Sequence, residues 1–290
     1  MNQFKTLALL ALLSALLISI SYFFIGGVAG LVVGILLAAV TNLGSWFYSD
    51  QIALAAYKAQ PLTREQAPQL YTLVESVAQR AQIPMPAVYL VPSEAANAFA
   101  TGRDPQHAAV ALTEGIINLL STDELEGVIA HELSHVRNRD TLTQAVAATI
   151  AGAISFLAQT LSYGMWSMGS SRSENNRGPN PLGLLLMVIL APLAATVIQL
   201  AISRTREFAA DAGAAQITKN PRALARALER LENQGTVAPI GGNPAFTPLL
   251  IINPISGEFL SSLFATHPST EARINNLLAL ESQLPKLTSN

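Results

Sequence analysis

The sequence predicts an α-helical integral membrane protein with an α+β polar domain, and three observations carry that expectation. Half of the 290 residues are hydrophobic and 12% are charged, too apolar a balance for an ordinary soluble domain. The apolar residues gather in long runs, two of which fill residues 1–49 with a single charged side chain, Lys5. The polar segments between the runs carry both helix-period and strand-period patterns. A formal net charge of −2 leaves no basic field for nucleic acid, so a DNA or RNA partner is not expected. Cysteine is absent. That excludes disulfides and thiolate ligands and fits a polar domain facing a reducing cytoplasm. Any metal must be held by His, Asp or Glu.

The first two runs, Phe4 to Phe24 and Gly27 to Phe47, are each about long enough to cross a bilayer of roughly 30 Å at a helical rise of 1.5 Å per residue. Only "IGG" separates them, which predicts a tight hairpin. Tyr22, Phe23 and Phe24 at one end and Trp46, Phe47 and Tyr48 at the other supply interfacial aromatics. A cleaved signal peptide is the alternative for the first run. The second run follows at once, and no A-x-A cleavage site is visible.

Residues 50–140 begin the polar domain. "LTREQAPQLYTLVESVAQRAQI" reads as a helix, with a Thr63 and Gln66 capping box and Leu70, Leu73, Val74 and Val77 at helical spacing. Short β-like runs follow, "AVYLV" and "HAAVAL" with "NAFATG" between them, and then the helical "TEGIINLL".

The stretch "VIAHELSHVRNRD" makes the most specific chemical claim. Ser121 and Glu124 form a capping box ahead of Leu125, Val128 and Ile129, an apolar stripe that predicts a helix. At 3.6 residues per turn His131 and His135 leave one face a turn apart, so two imidazoles can converge on one Zn²⁺. Glu132 lies about 100° around the helix, where it can reach a metal-bound water as a general base without taking a ligand position. The competing reading is a solvated helix with chance histidines, but random placement of four histidines rarely produces the pattern. His107, beside "RDPQ", reads as a surface loop residue.

A second pair of apolar runs, Leu142 to Ser162 and Leu182 to Ile202, flanks the polar loop "MGSSRSENNRGPNP" and makes four expected spans. The third is the weakest, because Thr143, Gln144, Thr149, Ser155 and Gln159 each need a partner in lipid. Two spans plus a buried hairpin is the alternative. Lys58, Arg64, Arg137, Arg139, Arg204 and Arg206 border the polar blocks and place them in the cytoplasm by the positive-inside rule, with Arg172 and Arg177 opposing. The expected organisation is a hairpin at 1–49, a first catalytic part at 50–140, a second hairpin at 141–202 and a second catalytic part at 203–290.

A catalytic zinc needs a third protein ligand. "ISRTREFAADAGAAQ" offers Glu207, with Asp211 four residues on along the same helical face. Glu207 can bind the metal while Asp211 accepts from the free N–H of a ligating imidazole. The alternative is a surface charge cluster of Arg204, Arg206 and Glu207.

With "HELSHVRNRDT", "SRTREFAADAGAA", "NAFATG" and "THPSTEARI" in this order around hydrophobic hairpins, nearly the whole chain resembles the HtpX-type membrane zinc metalloproteases, relatives of the CAAX prenyl proteases. The resemblance implies a gluzincin fold, His131, His135 and Glu207 as ligands of one Zn²⁺, and Glu132 as catalytic base. It also implies a multi-pass bacterial inner-membrane enzyme whose cytoplasmic domain cuts damaged membrane proteins or unfolded polypeptides. "HPST" stands where "HPPT" is common in that family. By the same resemblance "NAFATG" is a cleft-lining edge strand, so Asn97, Ala98 and Phe99 would hold extended substrate by β-augmentation; the alternative is an ordinary strand end with Asn97 in a turn. His267, just before Pro268, is either a simple surface residue or, as in thermolysin-like gluzincins, the donor to the scissile oxygen. Arg273 is a helper or a helix surface charge. Two other classes stay open: a zinc-binding membrane scaffold, which has little use for Glu132, and a metal transporter, which needs ligands inside the spans where no His, Asp or Glu occurs.

Overall fold

A computed structural model describes residues 2–152, 154, 204–234, 249–251 and 268–282. The expected fourth span, the loop before it, the third span from residue 155 onward and His267 lie outside the described residues.

The first apolar runs form a helical hairpin, α1 (Asn2–Ile25) and α2 (Gly27–Ala56). The two helices meet through small residues. A Cβ added at Gly30 would fall 2.8 Å from the Ser21 carbonyl oxygen, and one at Gly34 would fall 2.7 Å from the Ile18 Cα, so the GxxxG spacing permits the backbone contact. Among the described residues α2 is the helix long and apolar enough to cross a membrane. Its apolar window is only 17% buried, unlike the core helix of a soluble protein. It also runs past the expected end at Phe47 to Ala56, because Ala53 and Leu54, with Tyr57 just beyond, are buried against the polar domain.

The chain returns to this hairpin at residues 141–152, which are helical and buried. Two of the polar side chains expected to trouble a third span, Thr143 and Thr149, have partners here, while Ser155 and Gln159 lie outside the described residues. Thr143 pairs with Thr6 of α1 across 2.9 Å, and the Thr149 hydroxyl donates to the Ala145 carbonyl.

The sheet has the order β1-β2-β4-β3, built from β1 (Gln60–Pro61), β2 (Ala87–Val91), β3 (Ala98–Thr101) and β4 (Ala109–Thr113). β2 and β4 are parallel, whereas β3 and β1 join antiparallel at the two edges. Side chains alternate between two apolar cores, as a pleated strand dictates. Val88, Ala98, Ala100, Val110 and Leu112 face the helices of the polar domain. Val91, Phe99, Ala109 and Ala111 face the α1–α2 hairpin. The sheet is thus a wall between the α1–α2 hairpin and the polar domain.

On its polar-domain side lie α3 (Pro68–Ala81), α4 (Glu114–Leu119), α5 (Thr122–Arg137), α6 (described from Arg204 to Thr218), α7 (Pro221–Gln234) and α8 (Thr270–Glu281). The helix expected from Thr63 starts five residues later. Gln66 does accept from the Thr63 N–H, but Ala67 sits at φ −142 and ψ 67 before Pro68, which keeps the preceding residue out of the helical region. The two-residue strand β1 had no alternating pattern by which to be read.

Candidate metal centre

The helix α5 opens with the expected capping box, Ser121 and Glu124 exchanging backbone bonds. It is buried on nearly every side, which a solvated helix is not: Leu125, Val128, Ile129 and Leu133 belong to the apolar core, and His131, Glu132 and His135 are only 1%, 3% and 5% exposed. Polar groups buried so deeply need partners.

Glu207 of α6 supplies one, itself 1% exposed. Its Oε2 lies 3.7 Å from Nε2 of His131, its Oε1 lies 3.6 Å from Nε2 of His135, and the two Nε2 atoms are 3.3 Å apart. A tetrahedral site with bonds of about 2.0–2.1 Å separates its ligand atoms by roughly 3.3–3.4 Å. The three side chains fit such an ion, and they are the metal-capable cluster found among the described residues.

Each imidazole is held from behind by an aspartate. His131 Nδ1 lies 2.9 Å from Asp211 Oδ1, as the spacing of Glu207 and Asp211 on one helical face predicts. His135 Nδ1 lies 3.1 Å from Asp140 Oδ2, a partner that sequence reasoning missed. The end of α5 creates this contact. Arg139 takes φ 58, its N–H bonds to the Val136 carbonyl, and the Asp140 N–H bonds to the His135 carbonyl at 2.9 Å. That is a Schellman turn, and it folds Asp140 back onto the ring one turn earlier. An aspartate just past the second histidine was the available signal.

Two arginines complete the shell. Arg273 of α8 is fully buried and grips Asp211 with two bonds, Nε to Oδ2 at 2.9 Å and Nη2 to Oδ1 at 2.7 Å. It is no helix surface charge. Arg206 turns inward to within 3.7 Å of Asp140, whereas Arg204 is exposed. The surface cluster of Arg204, Arg206 and Glu207 therefore does not form.

These neighbours separate the protonation states. Burial, then the charge of Arg273, pushes His131 down to about 4 despite Asp211, which keeps it neutral as a ligand must be. Burial opposes the charge on His135, but Glu207, Asp140 and Glu132 outweigh it and lift that ring to about 9. Burial pushes Glu132 up to about 8, with Glu207 adding to it. Burial would raise Asp211 as well, yet Arg273 and His131 hold it down at about 2. A divalent cation would replace the protons on His135 and Glu132 and invert this balance.

The expected edge strand lies beside Glu132. β3 shares bonds with β4 through Asn97, whose carbonyl accepts from the Thr113 N–H at 3.0 Å. Alternation then turns the backbone groups of Ala98 and Ala100 outward and leaves those of Phe99 in the ladder. The Ala100 N–H donates to Glu132 Oε2 at 2.9 Å. The Phe99 ring packs on Tyr57, just past α2, with centroids 5.3 Å apart. His107 is exposed and paired with Asp104, a surface residue as expected.

The profile of peptidase family M48 matches residues 64–281, the span that contains His131, Glu132, His135, Glu207 and the aspartates and arginines around them. The chain belongs to peptidase family M48. It is 68% identical over 286 residues to a "Protease HtpX homolog" of Trichormus variabilis, covering 99% of both chains. A homologue of the same description from Acaryochloris marina is 63% identical over 289 residues, covering 100% of this chain and 98% of its own. One from Thermococcus sibiricus is 46% identical over 275 residues, covering 94% of each. Among solved structures, Ste24p of S. mikatae aligns with TM-score 0.48 at 21% identity, over 84% of this chain and 57% of that one. Within the M48 family the chain is thus of the HtpX type, and its relatives are named as proteases.

Proposed function

We propose that this M48 chain is a zinc-dependent membrane endopeptidase with four spans, its catalytic domain on the cytoplasmic face of a bacterial inner membrane. Its substrates would be misassembled membrane proteins and unfolded polypeptides. The reading rests on one observation above all: His131, His135 and Glu207 converge at ligand distances while Glu132, next in the chain to His131, stays outside the set. Imidazole and carboxylate ligands at this spacing favour zinc.

When bound, the cation supplies a Lewis acid that polarises a carbonyl and acidifies water. Glu132 takes the proton released and passes it to the leaving amine. The Ala100 amide orients the carboxylate for this transfer. Asp211 and Asp140 hold the two imidazoles by Nδ1, which would leave each Nε2 free to ligate a bound cation. The edge of β3, Asn97 to Phe99 with Ala100, is read as the seat of an extended substrate backbone. His267 is assigned as donor to the oxygen that becomes negative; His267→Ala should then keep its metal and lose about 10² to 10³ in kcat.

The polar blocks 50–140 and 203–290 make one catalytic domain interrupted by the hairpin 141–202 and preceded by the hairpin 1–49. Packing of Tyr57 on Phe99 supports a cleft close to the bilayer, where loops and tails of membrane proteins are at hand. The deciding experiment is Glu132→Gln in detergent-purified protein. Zinc content should persist while casein or membrane-protein cleavage disappears. Retained cleavage would exclude Glu132 as the base, and a wild-type chain that holds zinc without cleaving anything would be a scaffold.

A further inference from the structure

The outward edge of β3 already has an occupant. The Ala98 carbonyl accepts from the Ile251 N–H at 3.1 Å, on the same edge where Ala100 donates to Glu132. Ile251 then gives its own carbonyl to Arg273 Nη1 at 3.2 Å. Nη2 of that guanidinium lies 3.4 Å from Nε2 of His131. One residue therefore bridges from the strand edge to the Arg273 guanidinium, using N–H on one side and C=O on the other as a bound peptide would. The Ile251 side chain is 2% exposed and shares a core with Ala98, Ala100 and Leu277. Leu249 and Leu250, also buried, join the core on the other face of the sheet with Phe99.

An open strand edge is a template for another strand, and whatever lies on it competes with any later arrival. We propose that residues 249–251 form an internal strap that lies on the substrate edge of β3 and that an incoming extended segment must displace. This rests on the reading of β3 as the substrate edge. The incoming segment gives its N–H to Ala98 and its C=O to Arg273, and it places an aliphatic side chain in the space that Ile251 vacates. The strap thus sets both a threshold and a preference. A strap closed about nine-tenths of the time raises the apparent KM about tenfold and leaves kcat unaltered, because only the open fraction binds.

Ile251→Pro removes the donated N–H. In zinc-loaded full-length protein its KM for a peptide containing Leu-Leu-Ile should fall by up to about tenfold, with kcat close to that of the wild type. Ile251→Val keeps the N–H and serves as the reference for altered packing. An Asp in place of the peptide's Ile should weaken binding by about ten- to a hundredfold, through loss of the buried aliphatic group. A second measurement needs no change in the strap. In the Glu132→Gln chain, hydrogen exchange over residues 249–251, where the Ile251 N–H is the bonded amide, should be about tenfold slower alone than with saturating peptide. If the peptide binds while those amides stay protected, or if Ile251→Pro leaves KM unaltered, the strap is a fixed part of the fold and the proposal fails. A zinc-loaded wild type that neither binds nor cleaves peptide would fail the protease reading itself, and the strap with it.

Discussion

Asp140 Oδ2 lies 3.1 Å from Nδ1 of His135, five residues earlier in the chain, and Asp211 Oδ1 stands in the same relation to His131 at 2.9 Å. Each imidazole is therefore held at Nδ1 by an aspartate of its own. Asp140→Ala and Asp211→Ala should each lower zinc affinity by about 10- to 100-fold, read by competition with a chelator. Wild-type affinity in the Asp140 variant would remove it from the site.

The turn that delivers Asp140 is itself open to test. Arg139 sits at φ 58, which glycine adopts freely and a β-branched residue does not. Both Arg139→Gly and Arg139→Val lose the arginine side chain, so their difference isolates the backbone. The valine variant should bind zinc more weakly and melt lower, by about 1–2 kcal/mol. Equal behaviour would mean that the left-handed turn does not position Asp140.

Loss of the third ligand should be as severe as loss of the first two. Glu207→Ala should empty the site as His131→Ala or His135→Ala does, since a catalytic zinc needs three protein ligands. Full zinc occupancy in that variant would refute the assignment.

The charge on His135 predicts a pH dependence in the metal-free chain. Its folded-state value is raised from 6.5 to about 9, so its contribution is fully present below pH 6.5 and is lost as pH rises through 9. The shift corresponds to a loss on the order of 3 kcal/mol. Metal-free protein should accordingly unfold in less denaturant at pH 10 than at pH 6. Zinc uptake near neutral pH should release a proton from this ring, a release that fades above pH 9. Zinc binding at pH 7 without proton release to an indicator dye would contradict the protonated state.

Close approach of α5 and α6 sets the distance between the histidines and Glu207. At Gly213 an added Cβ would fall 2.5 Å from Ser134 Oγ and 2.9 Å from its Cβ, and that hydroxyl is tied to the Ala130 carbonyl. Gly213→Val should destabilise the fold by about 1–3 kcal/mol and weaken zinc binding together, as the helices part. An unchanged melting temperature would show that the helices can yield.

The sequence alone determined the parts of this protein that depend on neighbours within a few residues. The capping box at Ser121, the four-residue spacing of His131 and His135, and that of Glu207 and Asp211 are consequences of helical geometry. So are the apolar runs of α1 and α2, and the alternating strands are legible for a similar reason. Tertiary structure decided what lies beside what. Nothing local told that Arg273 would be buried against His131 from 142 positions away, or that Ile251 would settle on β3. Asp140 was near in sequence but needed a left-handed turn to reach its ring, and turn geometry at a non-glycine residue leaves no mark in composition. The physical reason is common to all three. A buried polar group takes whichever partner the packed cores bring within about 3 Å, and which partner that is depends on how α5, α6, α8 and the sheet close around one another.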